Sequence, residues 1–163
     1  MLAKINESKL SPADRDVIAD AHKRIYKAAR KGPELDCPEI AAGLFMTYLA
    51  GKESEEFVAA YLDTRHRLIV IETLFQGTID GATVHPRVLA RRALELNAAA
   101  IIVAHNHPAG NPEPSRQDVA LTRRLGKALE ILDIPLLDHF VCGSEGHRSL
   151  AEMGLYQQPM RST

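Results

Sequence analysis

His105-Asn106-His107 stands directly after an apolar run, residues 98–104, and is followed by Pro108. The run reads as a fully buried strand. In extended chain, residues i and i+2 point the same way, so both imidazoles face one point at the strand's end. Asp118 falls in the first turn of the next helix, on the stripe that carries Leu121 and Leu125. A carboxylate on a core-facing stripe is costly unless it is paired or binds metal. Two histidines and one inward carboxylate supply three N/O donors, the pattern of a catalytic zinc site that leaves its fourth position for water. Each piece also has a plainer reading. H-x-H is weak alone, Ser115 with Asp118 forms an ordinary capping box, and the three prolines of residues 105–114 could merely stiffen a connection. None of these plainer readings explains why strand, H-x-H-P, rigid loop, S-x-x-D and inward carboxylate occur together.

The elements that must position these residues are legible from period and punctuation. Ser11-Pro12 opens a first helix, with Asp14 and Asp16 in its first turn and Val17, Ala21, Ile25 and Ala28 at helical spacing; Gly32-Pro33 stops it. Asp36 can cap a second helix with Ala41, Leu44, Phe45, Tyr48 and Leu49 on one stripe, closed by Gly51. These two helices are expected to form an N-terminal extension, residues 1–52, packed on the remainder of the chain. Residues 55–63 read as an interior strand with apolar residues on both faces, and 67–75 as a second strand. A helix comes next over 86–96, then the strand over 98–104, a helix from the Ser115 cap to about 132, and a strand over 134–142. A hairpin around 143–146 leads to a last strand near Ser149. The fold class is α/β, a mixed sheet between helices, over residues 53–157, with 158–163 as a flexible tail.

Composition sets the bounds. The chain has 163 residues, room for one domain, with 45% apolar and 25% charged residues. A formal net charge of −1 excludes a chain whose bulk charge alone would hold it on nucleic acid or an anionic membrane. Cys37 and Cys142 are the only cysteines, with no C-x-x-C pair, which excludes a thiolate zinc cluster and favours a reducing compartment. There is no bilayer-length apolar stretch and no apolar leader, so a soluble cytoplasmic protein is expected. Arg91-Arg92 and Arg123-Arg124 with Lys127 read as solvated helix faces. His85, before Pro86, reads as a cap at a helix start in preference to a supporting partner of the site. Asp138 and His139 alternate on a late strand, so one of them points toward the site as a supporting partner.

His105-Asn106-His107-Pro108, six residues, then Ser115-x-x-Asp118 resembles the JAMM (MPN+) metalloprotease motif, which adds an upstream glutamate. Asn between the histidines, followed by Pro-x-Gly, is similar to the RadC family. Glu55-x-Phe57 leading to Leu62-Asp63, Leu74-Phe75-x-Gly77, Val84-His85-Pro86-Arg87, Leu96-Asn97-Ala98-Ala99-Ala100 and Leu137-Asp138-His139 agree with it. The likeness covers about residues 53–155. The longer members carry an N-terminal helix-hairpin-helix segment; residues 1–52 are too short for it and lack its glycine hairpins, so the resemblance is to a short form.

That resemblance implies a JAMM/MPN, cytidine-deaminase-like architecture with Zn2+ at a strand's carboxyl end. It implies His105, His107 and Asp118 as ligands, Glu55 as general base and Ser115 as support for a tetrahedral oxyanion. Spacing alone does not choose Glu55 over Glu56; in a strand Glu55 shares a face with Phe57, Ala59 and Tyr61. The expected reaction is hydrolysis of an amide or isopeptide bond in a peptide or protein by metal-activated water, with Glu55 moving the proton. The competing reading is a DNA repair or recombination factor, either a nuclease or a non-catalytic zinc module, with weak, salt-dependent DNA association. A deaminase lacks its H-x-E and P-C-x-x-C here, and a zincin lacks H-E-x-x-H.

Overall fold

The computed structural model describes residues 11, 13, 14, 16–18, 20, 21, 34, 35, 37–77 and 84–157. Among the described residues three helices and five strands carry the fold: α1 (Pro38–Tyr48), β1 (Glu56–Leu62), β2 (Leu68–Gln76), α2 (Pro86–Glu95), β3 (Ala100–Asn106), α3 (Arg116–Glu130), β4 (Leu136–Gly143) and β5 (Gly146–Ser149). The sheet runs β2-β1-β3-β4-β5. Only β3 and β4 are parallel; the other pairs are antiparallel. This is the mixed sheet between helices that the residue pattern predicts.

Every residue of β1 and of β3 is buried. A strand buried on both faces needs a helical layer on each side. On one face Phe57, Ala59, Tyr61, Ile101 and Val103 pack with Leu89 and Ala93 of α2 and Leu121, Leu125 and Leu129 of α3. On the other, Val58, Ala60, Leu62, Ala100, Ile102 and Ala104 pack with Ala41, Ala42 and Phe45 of α1. Burying each large side chain such as Phe57 or Leu125 stabilises the fold by roughly 1.5–3 kcal/mol. The strict alternation matters for function: residues of β3 with odd numbers face α2 and α3, and His105 is one of them.

Two expectations change. The site strand is β3 (Ala100–Asn106), not residues 98–104, because pairing with both neighbours continues through Phe57↔His105 and Asn106↔Cys142. The first histidine therefore belongs to the sheet and not to the loop after it. At the front, Ser11 does cap a helical turn, donating its N–H to the Asp14 carboxylate while its Oγ accepts the Asp14 N–H. Yet Val17 is 67% exposed and Ala21 is exposed too, so this stripe is not packed at those positions. Ile25, Ala28, the stop at Gly32-Pro33, the Asp36 cap and the 158–163 tail lie outside the described residues. At the start of α1 the N-cap position is Cys37, which makes no side-chain capping bond.

Among the described residues no helix is long and apolar enough to cross a membrane. Both cysteines are free thiols. Burial pushes the Cys142 thiol up to about 12, whereas Cys37 is only half-buried. A thiolate-specific reagent at mildly alkaline pH should therefore label Cys37 in the native protein and Cys142 only after denaturation. Rapid native labelling of Cys142 would show that the α1 face of the sheet opens readily.

Candidate metal centre

The carboxyl end of β3 meets the first turn of α3, and three donor groups converge there. His105, His107 and Asp118 each offer one ligand atom, all within 4.8 Å of one another. His105 Nε2 lies 2.9 Å from His107 Nε2 and 3.3 Å from Asp118 Oδ1; His107 Nε2 lies 3.7 Å from Asp118 Oδ2. His105 and Asp118 are buried, and the His107 side chain is 19% exposed.

Hydrogen-bond accounting fixes which nitrogens carry protons. Thr122, one turn after Asp118, donates its hydroxyl proton to the Asp118 backbone carbonyl (2.6 Å), the back-bonding usual for a helical Thr. Its single proton is thereby used, so at 2.5 Å it accepts from His139 Nδ1. His139 is fully buried, and burial pushes its imidazole well below the ordinary range, which keeps it neutral. With its proton on Nδ1, its Nε2 accepts from His105 Nδ1 at 2.8 Å. That leaves His105 Nε2 as a bare lone pair. Burial also drives the His105 imidazole down to about 4. On the other side, His107 Nδ1 can only donate to the Asn111 carbonyl at 2.9 Å, so in the neutral imidazole His107 Nε2 is a lone pair as well.

Two lone pairs 2.9 Å apart beside a carboxylate repel one another unless a cation lies among them. A proton can satisfy one nitrogen, and the Asp118 contact does raise the His107 affinity for one. Only a metal ion satisfies all three donors together. Burial pushes the Asp118 carboxyl up, but His107 and the Ser115 cap outweigh it and hold Asp118 below the usual carboxylate range. The donor set, neutral imidazoles with a carboxylate, fits Zn2+ or a similar divalent ion.

Ser115 and Asp118 form the reciprocal capping box that the sequence allowed: Ser115 Oγ accepts the Asp118 N–H (3.1 Å) and Asp118 Oδ2 accepts the Ser115 N–H (2.7 Å). The box does not compete with a metal, since it uses Oδ2 and leaves Oδ1 directed at His105. Capping thus sets the carboxylate's angle.

The two adjacent glutamates part company. In the antiparallel pairing Phe57 faces His105, so continuing that register by two residues brings Glu55 opposite His107. Glu55 lines an open cleft of ≈ 350 Å³ with His107, Pro108, Ala109, Asn111 and Glu113, and its charge helps raise the His107 proton affinity. Glu56 is buried on the α1 side, ion-paired to Lys52 Nζ at 3.2 Å and accepting from Thr73 Oγ1 at 3.1 Å.

Of the Asp138–His139 pair, His139 reaches the site. Leu137 is an extra residue between the pairs Ile101↔Leu136 and Ile102↔Asp138, and beyond it Val103↔His139 puts that imidazole on the face of His105. Asp138 instead accepts from Ser149 Oγ, the Ala151 N–H and its neighbour's N–H. His85 is exposed at the N-cap position of α2 and makes no capping bond. The basic clusters are partly engaged: Arg92 pairs with Glu72 and Glu95, and Arg124 donates to the Val84 carbonyl. Sequence reasoning missed Thr122. Its one available signal was a hydroxyl on the buried stripe of α3, four residues after Asp118.

The loop carrying His107 is held from the β4–β5 side. His107 N–H donates to the Cys142 carbonyl (2.7 Å) and Glu145 N–H to the Gly110 carbonyl (3.1 Å). Gly143 permits this approach, because a Cβ there would stand 2.1 Å from Gly110 O.

Comparison with known proteins identifies a family. A family model described as "RadC-like JAB domain" matches residues 35–155. A UPF0758 protein of Xanthomonas oryzae pv. oryzae (strain PXO99A) is 52% identical over 134 residues, which are 82% of this chain and 60% of that one. A UPF0758 protein of Halorhodospira halophila is 50% identical over 135 residues, 83% of this chain and 60% of its own length. The aligned part thus spans about three-fifths of these curated relatives.

Elemental analysis should find about one divalent ion per chain, lost on His105→Ala, His107→Ala or Asp118→Ala, since a three-donor site tolerates no deletion. Metal-free protein that takes up none on addition of zinc would contradict the site. Thr122→Val should retain the fold but release His139 to the other tautomer, weakening metal affinity about 10–100-fold in chelator competition; parental affinity would refute the relay. Gly143→Ala should lower stability by about 1–3 kcal/mol through overpacking and weaken metal binding by displacing the His107 loop.

Proposed function

The chain belongs to the RadC-like JAB domain family, and from that footing we propose that it is a zinc-dependent hydrolase acting on an amide or isopeptide bond of a peptide or protein. The observation that carries the reading is the convergence of three donors, His105 Nε2, His107 Nε2 and an Asp118 oxygen, beside a cleft lined by His107 and Glu55. These three residues would hold the metal. When bound, zinc supplies Lewis acidity, bringing water toward ionisation near neutral pH and polarising a carbonyl.

The chain's own residues supply the rest. Glu55, half-buried at the mouth of the cleft, accepts the proton of the attacking water and returns it to the leaving nitrogen. Ser115, whose Oγ accepts the Asp118 N–H at the start of α3, is the residue that would support the tetrahedral oxyanion. A structural-metal module would call for a fourth protein donor, and among the described residues the cluster comprises three. Free thiols at Cys37 and Cys142 suit the cytoplasm. For DNA the proposal is weak association only, given the net charge of −1; binding that persists at physiological salt would favour the DNA-processing reading instead.

The test is a peptide and isopeptide library incubated with zinc-loaded protein and read by mass spectrometry. Cleavage should disappear with chelator and return with zinc. Glu55→Gln should keep its zinc and lose roughly 10²–10⁴-fold in rate, the worth of a positioned general base. Glu56→Gln should keep its rate while losing about 1 kcal/mol of stability, because its carboxylate is engaged with Lys52 and Thr73. Full activity in Glu55→Gln would remove it as the base. Loss of zinc from that variant would make Glu55 a ligand and the site structural.

A further inference from the structure

Asn106 lies between the two histidines, so its side chain leaves β3 on the face opposite theirs. It is 5% exposed, yet it approaches neither imidazole in its hydrogen bonding. Its amide spans to the chain just ahead of β1. Oδ1 accepts the Glu56 N–H at 2.7 Å, and Nδ2 donates to the Ser54 carbonyl at 3.0 Å. The two bonds grip the peptide units on either side of Glu55. A third contact closes the grip: the Gly77 N–H donates to the Glu55 carbonyl at 2.8 Å.

We infer that Asn106 is the positioning residue for Glu55, coupling the general base to β3, the strand that carries His105 and leads directly into His107. This deepens the hydrolase reading and rests on it for the role of Glu55. The physical case is one of register. Pairing of β1 with β3 ends at Phe57↔His105, so on the side of the histidines Glu55 lies beyond the ladder. Apart from Asn106, the β2 side holds its backbone, through Glu56↔Gln76 and the Gly77 N–H. A side-chain amide offers one acceptor and two donor hydrogens in a fixed plane, so it can stand in for a missing rung on both sides of one residue. Because Asn106 is the last residue of β3 and follows His105 directly, a shift of that strand carries the Glu55 backbone with it. Aspartate at this place would keep the acceptor for Glu56 and turn a second acceptor against the Ser54 carbonyl. Alanine would remove both bonds.

The experiment compares the parent with Asn106→Ala and Asn106→Asp in the full chain. Three readouts are taken: zinc content, Glu56 amide hydrogen exchange, and the paramagnetic shift of the Glu55 carboxyl carbon in Co2+-loaded, glutamate-labelled protein. Expected in both variants are unchanged metal content, faster Glu56 exchange and a reduced Co2+-induced shift at Glu55, with the smaller changes in Asn106→Asp. On the substrate found by the library screen, kcat should fall about 10–100-fold at constant KM, the scale of a slight misplacement of a reacting group. Neither substitution should lower kcat further in a Glu55→Gln background. Parental kcat in Asn106→Ala overturns the inference, as does loss of zinc, which would make Asn106 a support for the histidines instead. If the parent binds Co2+ but cleaves nothing, the hydrolase reading fails, while the Glu55 shift still decides whether Asn106 places that carboxylate; an unchanged shift overturns the inference.

Discussion

Three groups that bind protons or metals must be held bare and close together inside a folded protein, and most of the local structure serves that constraint. Imidazole lone pairs and a carboxylate repel one another at these distances, and water would ordinarily relieve the repulsion. Burial of His105 and Asp118 removes that relief. The arrangement persists because each donor is anchored from behind: His105 through His139, His107 through the Asn111 carbonyl, and Asp118 through the Ser115 cap. Anchoring of this kind sets ring orientation and tautomer, and so would present a metal ion with lone pairs instead of protons.

The anchors tie the site to both main structural layers. Thr122 belongs to α3 and His139 to β4, so the His105 tautomer depends on the seating of α3 against the sheet through Leu121, Leu125 and Leu129. Asn106 engages the segment leading into β1, and Gly143 lets the β4–β5 turn lie against the loop that carries His107. Strand β3 is the common member. It is buried throughout and paired on both sides, and it holds His105 in the sheet while delivering His107 at its end. The remaining wall of the cleft, Pro108, Ala109, Asn111 and Glu113, comes from the loop, and the last three of these are exposed.

Several features of the site were legible because they are local. Alternation in an extended segment puts His105 and His107 on one side, and the helical period puts Asp118 beneath Leu121 and Leu125. The Ser115 and Ser11 caps are four-residue patterns, and both are present. The strands and helices arise from apolar period and from Pro and Gly punctuation, with boundaries displaced by one or two residues. The largest shift, at β3, arose because pairing with two neighbours extends a strand past its apolar run and into polar residues.

What the sequence could not specify depends on partners far along the chain. Alternation states that Asp138 and His139 face opposite ways, but the extra residue Leu137 and the pairing with β3 decide which one meets His105. Glu55 and Glu56 are equivalent until the β1–β3 register places one opposite His107 and sends the other to Lys52 and Thr73. Asn106 acquires its grip on Glu55, and Thr122 its place in the proton chain, only when segments distant in sequence are brought together. Local period determined which residue types stand on a common face. Tertiary pairing determined which of them touch, because a hydrogen bond is fixed by a register of single residues, and that register is set by the packing of the whole sheet.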